Sequence, residues 1–242
     1  DVIESRGLGD VYKRQNLADM WIDNRSTTWS HEEVMNFCSA LEASWPADMD
    51  ELDSCEGRTI VQGTMFHSND GGTQIINSLW HGIPEFANAD RVWMPSGHSE
   101  GRVASAADEI VIDAHVVDAL DLSLGDTVHI GAGSSPVEFS IVGIGYHPLH
   151  VFMAPEGSIF PPEPGQYVVG YVSDSGMARL TNSTIGNSNT ILLDVEGTPS
   201  FDLPDTEEYE GDEIDSVRNL VSRALENAVS YTHLTLPTMM SV

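Results

Sequence analysis

The residues of this chain best suited to ligand chemistry lie at 147–150, where the sequence reads HPLH. Two imidazoles three residues apart, with Met153 and Glu156 downstream, offer nitrogen, sulfur and oxygen atoms of the kind that bind metals. Zinc sites on helices use histidines at i and i+4, and the intervening proline is incompatible with a helix there. His147 and His150 are therefore candidate metal ligands, and turn histidines packed beside aromatic rings are the alternative interpretation.

Other chemical signatures are weak or absent from the sequence. The stretch 131–135 (GAGSS) superficially resembles the G-x-S-x-G elbow of hydrolases, but it falls in a predicted hairpin loop rather than between a strand and a helix. Neither G-x-G-x-x-G nor G-x-x-x-x-G-K-[ST] occurs, so nucleotide binding is not indicated. The acidic stretch 196–213 lacks the spacing of a calcium loop and is interpreted as solvated. We predict no enzyme activity and no cofactor.

Cys38 and Cys55 are the only cysteines in the 242 residues. One disulfide between them would close a loop of about 17 residues and stabilise the fold by about 3 kcal/mol in the chain-entropy model. The same two residues are equally compatible with separate thiols, Cys38 on the buried face of a helix and Cys55 in a loop. Both interpretations stay open from sequence.

The charge balance excludes one class of partner. The chain has 38 acidic and 10 basic residues and a formal net charge of −28. Nucleic-acid binding requires lysine and arginine to neutralise phosphates, so we exclude it, and attraction to anionic lipid headgroups is equally disfavoured. With 40% hydrophobic residues the chain has the composition of a folded protein, and no window approaches the length of apolar sequence needed to cross a bilayer.

The first half of the chain has the predicted order strand, helix, strand, strand. Residues 17–24 alternate as a strand does, and Ser30 with Glu33 forms the S-x-x-E capping box of a helix that ends at Trp45, before a proline. Strands are predicted at 57–67 and 73–81, on either side of a turn rich in glycine and asparagine.

The stretch 108–148 has the clearest local pattern in the chain. We predict a strand over Glu109–Asp113, two helical turns over 114–121 and a tight turn at Gly125 and Asp126. Strands at 127–130 and Val137–Gly145 then form a hairpin. Further elements are a strand near 167–172 followed by a short helix, a strand at Thr190–Val195 and an amphipathic helix at 214–228.

This ordered string resembles the extracytoplasmic domain of MacB/FtsX-type ABC transporter permeases. The likeness covers roughly 85–195, and its structural turn residues are Gly125, Asp126 and Gly143. The first 85 residues match only in the order of their elements, so no substrate or partner residues are carried over. The matching residues are Glu109, Val111, Leu122, Leu124, Gly125, Asp126, Val128, Ile130, Phe139, Val142, Gly143 and Ile144.

The expected architecture is an α+β fold with two subdomains, each a small mixed or antiparallel sheet with one or two helices. We place the first at 16–106 and the second, which we expect to be truncated, at 107–229. Residues 82–107 are rich in glycine and proline and are interpreted as a connector and hinge between them. Residues 1–15 and 230–242 resemble translated sequencing adapters, and we exclude them from the fold.

The resemblance implies a non-catalytic role at the extracytoplasmic face of the cell membrane, within an integral membrane protein. There the domain would couple ATP-driven motion to export or extraction of lipoprotein, peptide or drug substrates. The implied partners are a second permease copy, a cytoplasmic ATP-binding subunit and a lipoprotein or periplasmic protein. Two alternatives remain from sequence: a secreted acidic binding or adhesion module of unknown ligand, and a secreted enzyme.

Overall fold

The computed structural model describes residues 18, 20–23, 27–45, 47, 51–69, 72–94, 97, 99–133, 135–147, 150 and 162–195. The predicted acidic loop at 196–213, the predicted helix at 214–228 and both adapter-like ends lie outside these residues. Within them the chain has a mixed α+β fold, as predicted, in which strands predominate over short helices.

Most of the predicted elements are present, with altered ends. The described helices are α1 (His31–Ser44), α2 (Val117–Leu120), which directly follows a 3₁₀ turn (Ala114–Val116), and α3 (Asp174–Thr181). The described strands are β1 (Met20–Asp23), β2 (Leu52–Asn69), β3 (Gly72–Ile83), β4 (Glu100–Gly101), β5 (Glu109–Asp113), β6 (Thr127–Gly131), β7 (Val137–Gly145), β8 (Tyr167–Ser173) and β9 (Thr190–Val195).

Six of the strands close into a barrel. The pairings run β2–β3, β3–β8, β8–β5, β5–β7, β7–β6 and β6–β2, which returns to the starting strand. The β3–β8 and β5–β7 pairs are parallel, and the other four are antiparallel. Closure leaves these strands without a free hydrogen-bonding edge over the paired lengths, which removes a surface prone to edge-to-edge aggregation.

Trp80 of β3 is the largest fully buried side chain of the barrel core. Its indole Nε1 donates to the carbonyl oxygen of Gly131, 3.1 Å away. A Cβ built on Gly63 would lie 2.3 Å from Nε1, and one on Gly170 would lie 2.8 Å from Cζ3. The indole therefore occupies space that two glycines on neighbouring strands leave free. Other large buried members of this core are Met65, Ile76, Ile110, Ile112, Ile130, Phe139, Ile141 and Tyr171.

A second, smaller sheet extends from the barrel through β2. The first part of this strand pairs with β9, and β9 pairs on its other side with β1, both antiparallel. Helix α1 covers the sheet and shares a separate hydrophobic cluster with it. The buried members of this cluster are Ile22, Trp29, Val34, Phe37, Cys38, Leu41, Ile191 and Leu193.

Helix α1 begins and ends where the sequence predicted. The Ser30 hydroxyl accepts from the Glu33 amide at 3.3 Å, and the Glu33 carboxylate accepts from the Ser30 amide at 2.7 Å. This reciprocal box satisfies two amides at the helix start. On the buried face, Cys38 is joined to Cys55 of β2 by a disulfide with Cα atoms 5.7 Å apart. Of the two sequence interpretations, the structure has the bridge.

The turn at Gly125 and Asp126 connects the short helix to the barrel. Gly125 has φ +88°, in the left-handed region that favours glycine, and its amide donates to the Ile141 carbonyl at 2.8 Å. Ile141 returns a 2.8 Å bond to the carbonyl of Asp126, whose carboxylate also accepts from the Ser123 amide at 2.7 Å. In β7, a Cβ on Gly143 would lie 2.2 Å from the Arg102 carbonyl oxygen. The three residues thus occupy structural positions.

The helical stretch predicted at 114–121 is shorter than expected. It consists of the 3₁₀ turn and the single α-helical turn of α2, ended by Asp121 in the left-handed conformation with φ +49°. Asp113 starts it, because its carboxylate accepts from the His115 amide at 3.0 Å.

The cores do not follow the predicted boundary between residues 106 and 107. β2 and β3, from the first predicted subdomain, pair with β6 and β8 from the second within one barrel. Conversely, β9 lies in the smaller sheet beside β1. The interval 82–107 includes the end of β3, the bridge between Trp93 and Tyr146 and strand β4, so it is fixed to the barrel at several points. None of the described helices is long and apolar enough to span a membrane.

Candidate functional site

The candidate metal ligands lie beside a third histidine that the sequence did not indicate. His147 follows β7, His150 follows three residues later, and both rings contact His81 of β3. His81 lies on the face of β3 opposite Trp80, which places it outside the barrel core. We call His81, His147 and His150 the histidine cluster.

The rings of this cluster are packed tightly together. Nε2 of His81 lies 2.8 Å from Nε2 of His150, so one imidazole donates and the other accepts. His147 stacks on His81 with ring centroids 5.2 Å apart and on Tyr171 with centroids 5.3 Å apart. Its Nε2 donates to the Asp90 carbonyl oxygen at 2.9 Å. Tyr171 belongs to β8, so the cluster joins two barrel strands to the segment after β7.

This arrangement is one of hydrogen-bonded and stacked rings. Only His81 and His150 direct ring nitrogens at each other, whereas the Nε2 of His147 is bonded to a backbone oxygen. Among the described residues, no group of three or more histidine, cysteine or acidic side chains could hold a metal ion. Met153 and Glu156 lie outside the described residues.

Burial keeps the cluster neutral near pH 7. Desolvation lowers the pKa of His147 to about 3 and that of His150 to about 4, and it places the pKa of His81 well below its usual value. The neighbouring imidazoles and the Arg58 guanidinium add to the effect at His81, since each disfavours a further positive charge.

A buried arginine lies next to the cluster. Arg58 of β2 is 3% exposed, donates from Nη2 to the Ala89 carbonyl at 2.6 Å and pairs with Glu56 at 3.3 Å. Burial lowers its pKa, and Glu56 opposes that shift. Burial also raises the pKa of Asp90 to about 6, although the Ala18 amide and Arg58 favour the carboxylate. Asp90 has a φ of +45°, an uncommon conformation for a residue other than glycine.

Among the described residues, Asp113 has the most buried carboxyl group, and three donors are bonded to it. One oxygen accepts from the His115 ring at 2.6 Å and from its amide at 3.0 Å, while the other accepts from the Tyr171 hydroxyl at 2.9 Å. Burial raises the pKa of Asp113, and the bonds from His115 and Tyr171 oppose that shift. Through Tyr171, this carboxyl group is one ring away from the histidine cluster.

Removing the Tyr171 hydroxyl tests this network. We expect Tyr171→Phe to lower the free energy of unfolding by about 2 kcal/mol, because a fully buried carboxyl oxygen loses its only described donor. Chemical denaturation followed by circular dichroism measures the change. Tyr146→Phe is the matched control, and we expect it to change the free energy by less than about 0.5 kcal/mol because Tyr146 is only half-buried. Equal effects in the two variants would contradict this role of Asp113.

A shallow open groove with a volume of about 400 Å³ lies beside the short helical segment that contains His115. The ring of Tyr146 forms part of its wall and contacts both Trp93 and His115. The groove has a mixed polar and apolar lining. Its other principal lining residues are Ser99, Glu100, Val117, Asp118 and Ile144.

Gly131 ends β6, and the described residues 132, 133 and 135 lie between β6 and β7, as the sequence predicted, and not at a strand-to-helix elbow. The sequence singled out two of the three clustered histidines and missed His81, Arg58 and Asp113. Each of these lies within a strand, surrounded by ordinary strand residues. The signal that distinguishes these three residues is that each is a polar side chain buried within a strand. Burial depends on pairing between distant segments, so the sequence alone did not reveal it.

Comparisons with solved structures found similar folds at low sequence identity. The extracellular domain of the noncanonical ABC-type transporter YknZ from Gram-positive bacteria is 13% identical, with TM-score 0.49 over 90% of this chain and 99% of that one. The periplasmic region of MacB from Actinobacillus actinomycetemcomitans is 13% identical, with TM-score 0.44 over 85% and 83%. A domain of a putative permease protein from Porphyromonas gingivalis is 14% identical, with TM-score 0.37 over 82% and 76%. No protein-family model and no curated protein matches the chain.

Proposed function

We propose that this chain is the extracytoplasmic domain of an ABC transporter permease. The single observation that carries the proposal is the motif string that runs from Glu109 to Ile144. Its residues resemble those of MacB/FtsX-type permeases, and they fold as one continuous unit of strand, short helix, glycine–aspartate turn and hairpin. Hydrogen bonds join the glycine–aspartate turn to Ile141 of β7, and they explain why the turn and the hairpin follow each other in this order.

In this role the domain has no chemistry of its own. It transmits the motion of a cytoplasmic ATP-binding subunit to a lipoprotein, peptide or drug outside the membrane, and it works beside a second permease copy. The disulfide between α1 and β2 is consistent with an oxidising compartment. The acidic surface is consistent with a domain that keeps clear of anionic headgroups.

The interval 82–107 is our candidate for the part of the domain that moves. A pivot there would have to break the bridge between Trp93 and Tyr146 and the pairing of β4 with β7. Motion would then displace the connector from the barrel and leave the barrel intact, rather than separate two independent halves. Slow amide exchange in 82–107, equal to that of β5 and β8, would argue against a pivot.

Labelling in whole cells tests the location. In the full-length gene, Ser123→Cys places a thiol at an exposed position, and a membrane-impermeant maleimide should modify it in intact cells expressing the protein. The native cysteines are paired and should stay unlabelled. A cysteine on the cytoplasmic ATP-binding subunit is the control and should react only after lysis. Labelling of Ser123→Cys only after lysis would overturn the proposed location.

A further inference from the structure

The histidine cluster has a property that the permease role does not use. Three imidazoles lie with ring centroids 4.9 to 5.5 Å apart in a site from which water is largely excluded. Histidine is the side chain whose usual pKa lies closest to physiological pH. The packing of three neutral imidazoles therefore becomes less favourable as the pH falls.

The bond between His81 and His150 makes that coupling specific. It holds one proton between two Nε2 atoms 2.8 Å apart. If the accepting ring gains a proton, two N–H groups face each other and the bond is lost. A cation there would also be unfavourable beside the third imidazole and near the buried Arg58 guanidinium. The closed arrangement is therefore compatible with neutral rings only.

We propose that the histidine cluster is an acid-sensitive contact, in which protonation of His81 or His150 separates His147 and His150 from the outer face of the barrel at β3 and β8. The neighbouring hydrogen bonds define what opens. The amides of Trp93 and Tyr146 bond to each other's carbonyl groups at 2.8 and 2.9 Å, and the His150 amide bonds to the His147 carbonyl at 3.0 Å. These bonds hold the end of β7 in place beside the cluster.

The surrounding charges set the sign and size of the effect. Arg58 of β2 acts on His81 and His147 and is paired with Glu56, Asp174 lies near Arg58 on α3, and Asp113 lies behind Tyr171. Burial lowers the pKa of all three histidines, so opening takes up protons in acid and is favoured as pH falls.

Asp90 acts in the opposite direction. Because burial raises its pKa to about 6, it releases a proton if it becomes exposed. Asp113 keeps its bonds to His115 and Tyr171 and takes no part in the opening. The raised pKa of Asp174 acts in the same direction as that of Asp90 if opening exposes it.

Amide exchange at Trp93, Tyr146 and His150, measured by NMR against pH, gives the opening constant. Each histidine that becomes exposed should raise this constant about 10-fold as the pH falls from about 7.5 to about 5.5. Release of a proton from Asp90 should offset part of one of these three contributions of about 10-fold. We therefore expect a rise of about 100-fold or more, which corresponds to a mean net uptake of about one proton over this range; the net uptake should reach about two protons near pH 5.5. An exchange rate that follows only the intrinsic pH dependence of amides would overturn the proposal.

Two variants assign the protons. His150→Phe keeps a flat ring against His81 but cannot titrate, and it should lower the uptake from about two protons to about one. His129→Phe is the control, because the His129 side chain is exposed on β6, where its nearest charged neighbour, the Glu138 carboxylate at 3.7 Å, is exposed as well. It should leave the uptake unchanged. An equal uptake in all three proteins would overturn the assignment.

Ring ¹⁵N shifts of the unmodified protein give an independent reading if His150→Phe does not fold. His81 and His150 should titrate together, in one cooperative step that coincides with the loss of amide protection. Separate titration of the two rings near the usual histidine pKa, with the amides still protected, would contradict the proposal.

Discussion

Replacing Trp80 by alanine should lower the free energy of unfolding by about 4 kcal/mol, a larger loss than we expect from any other single substitution in the barrel. The indole is fully buried at the centre of the closed barrel and donates to the Gly131 carbonyl. Its removal leaves a large cavity between two glycines, which have no side chains with which to fill it. Since domains of this kind are stable by only about 5–15 kcal/mol, the variant should unfold at much lower denaturant concentration.

Two further variants separate packing from hydrogen bonding. Trp80→Phe keeps an aromatic ring and loses the bond to Gly131, so we expect a cost of about 2 kcal/mol. Trp93→Ala removes an indole that is 43% exposed and should cost about 1 kcal/mol or less. Circular dichroism is the appropriate probe, because the substitutions change the tryptophan fluorescence. If Trp80→Ala costs no more than Trp93→Ala, the barrel is not packed around Trp80 as described.

The disulfide gives the second large effect. Replacing both Cys38 and Cys55 by alanine should lower the free energy of unfolding by about 3 kcal/mol, because the unfolded chain is no longer constrained by the loop. The loss should be greatest for α1, which the bridge fixes to β2 and which belongs to the smaller of the two cores.

Reduction provides the control without any substitution. Dithiothreitol should destabilise the unmodified protein by a similar amount and leave the double alanine variant unchanged. Thiol titration of the unfolded, unreduced protein should detect no free thiol. Two free thiols, or a midpoint of unfolding that does not respond to the reductant, would contradict the bridge.

The sequence predicted those parts of the fold that local signals determine. The capping box of Ser30 and Glu33 starts α1, and the turn at Gly125 requires a residue that tolerates positive φ, so both positions could be identified without tertiary information. The alternation in β7 likewise identified a strand with one buried face.

Local sequence signals could not predict that the barrel closes. It depends on pairing between segments far apart in the chain, such as β3 with β8 and β2 with β6. The glycine and proline content of 82–107 suggested a linker, yet long-range bonds such as the one from the His147 ring to the Asp90 carbonyl connect this interval to residues far away in the chain. β2 begins at Leu52, earlier than predicted, because its first residues pair with β9. Acidic residues in this stretch are not typical of a strand, so the sequence did not predict the extension.

The sequence predicted only part of the candidate site, again because the site depends on contacts between distant segments. His147 and His150 attracted attention because they lie close together in the sequence. His81 is 69 residues away from His150 and meets it only after β3 and the segment following β7 come together on the barrel. A metal site was the natural hypothesis for two neighbouring histidines, whereas three mutually packed rings with Tyr171 indicate a response to protons.

The proposed role in a permease is tested most directly by the DNA on either side of this reading frame. Sequencing the source DNA past both adapter-like ends should reveal apolar segments of about 20 residues upstream of residue 16 and downstream of residue 229. A neighbouring gene or domain should carry the G-x-x-x-x-G-K-[ST] motif of an ATPase. A cleavable signal peptide upstream, with native sequence that ends near residue 229 and has no apolar segment, would contradict the proposal and leave a secreted acidic binding module.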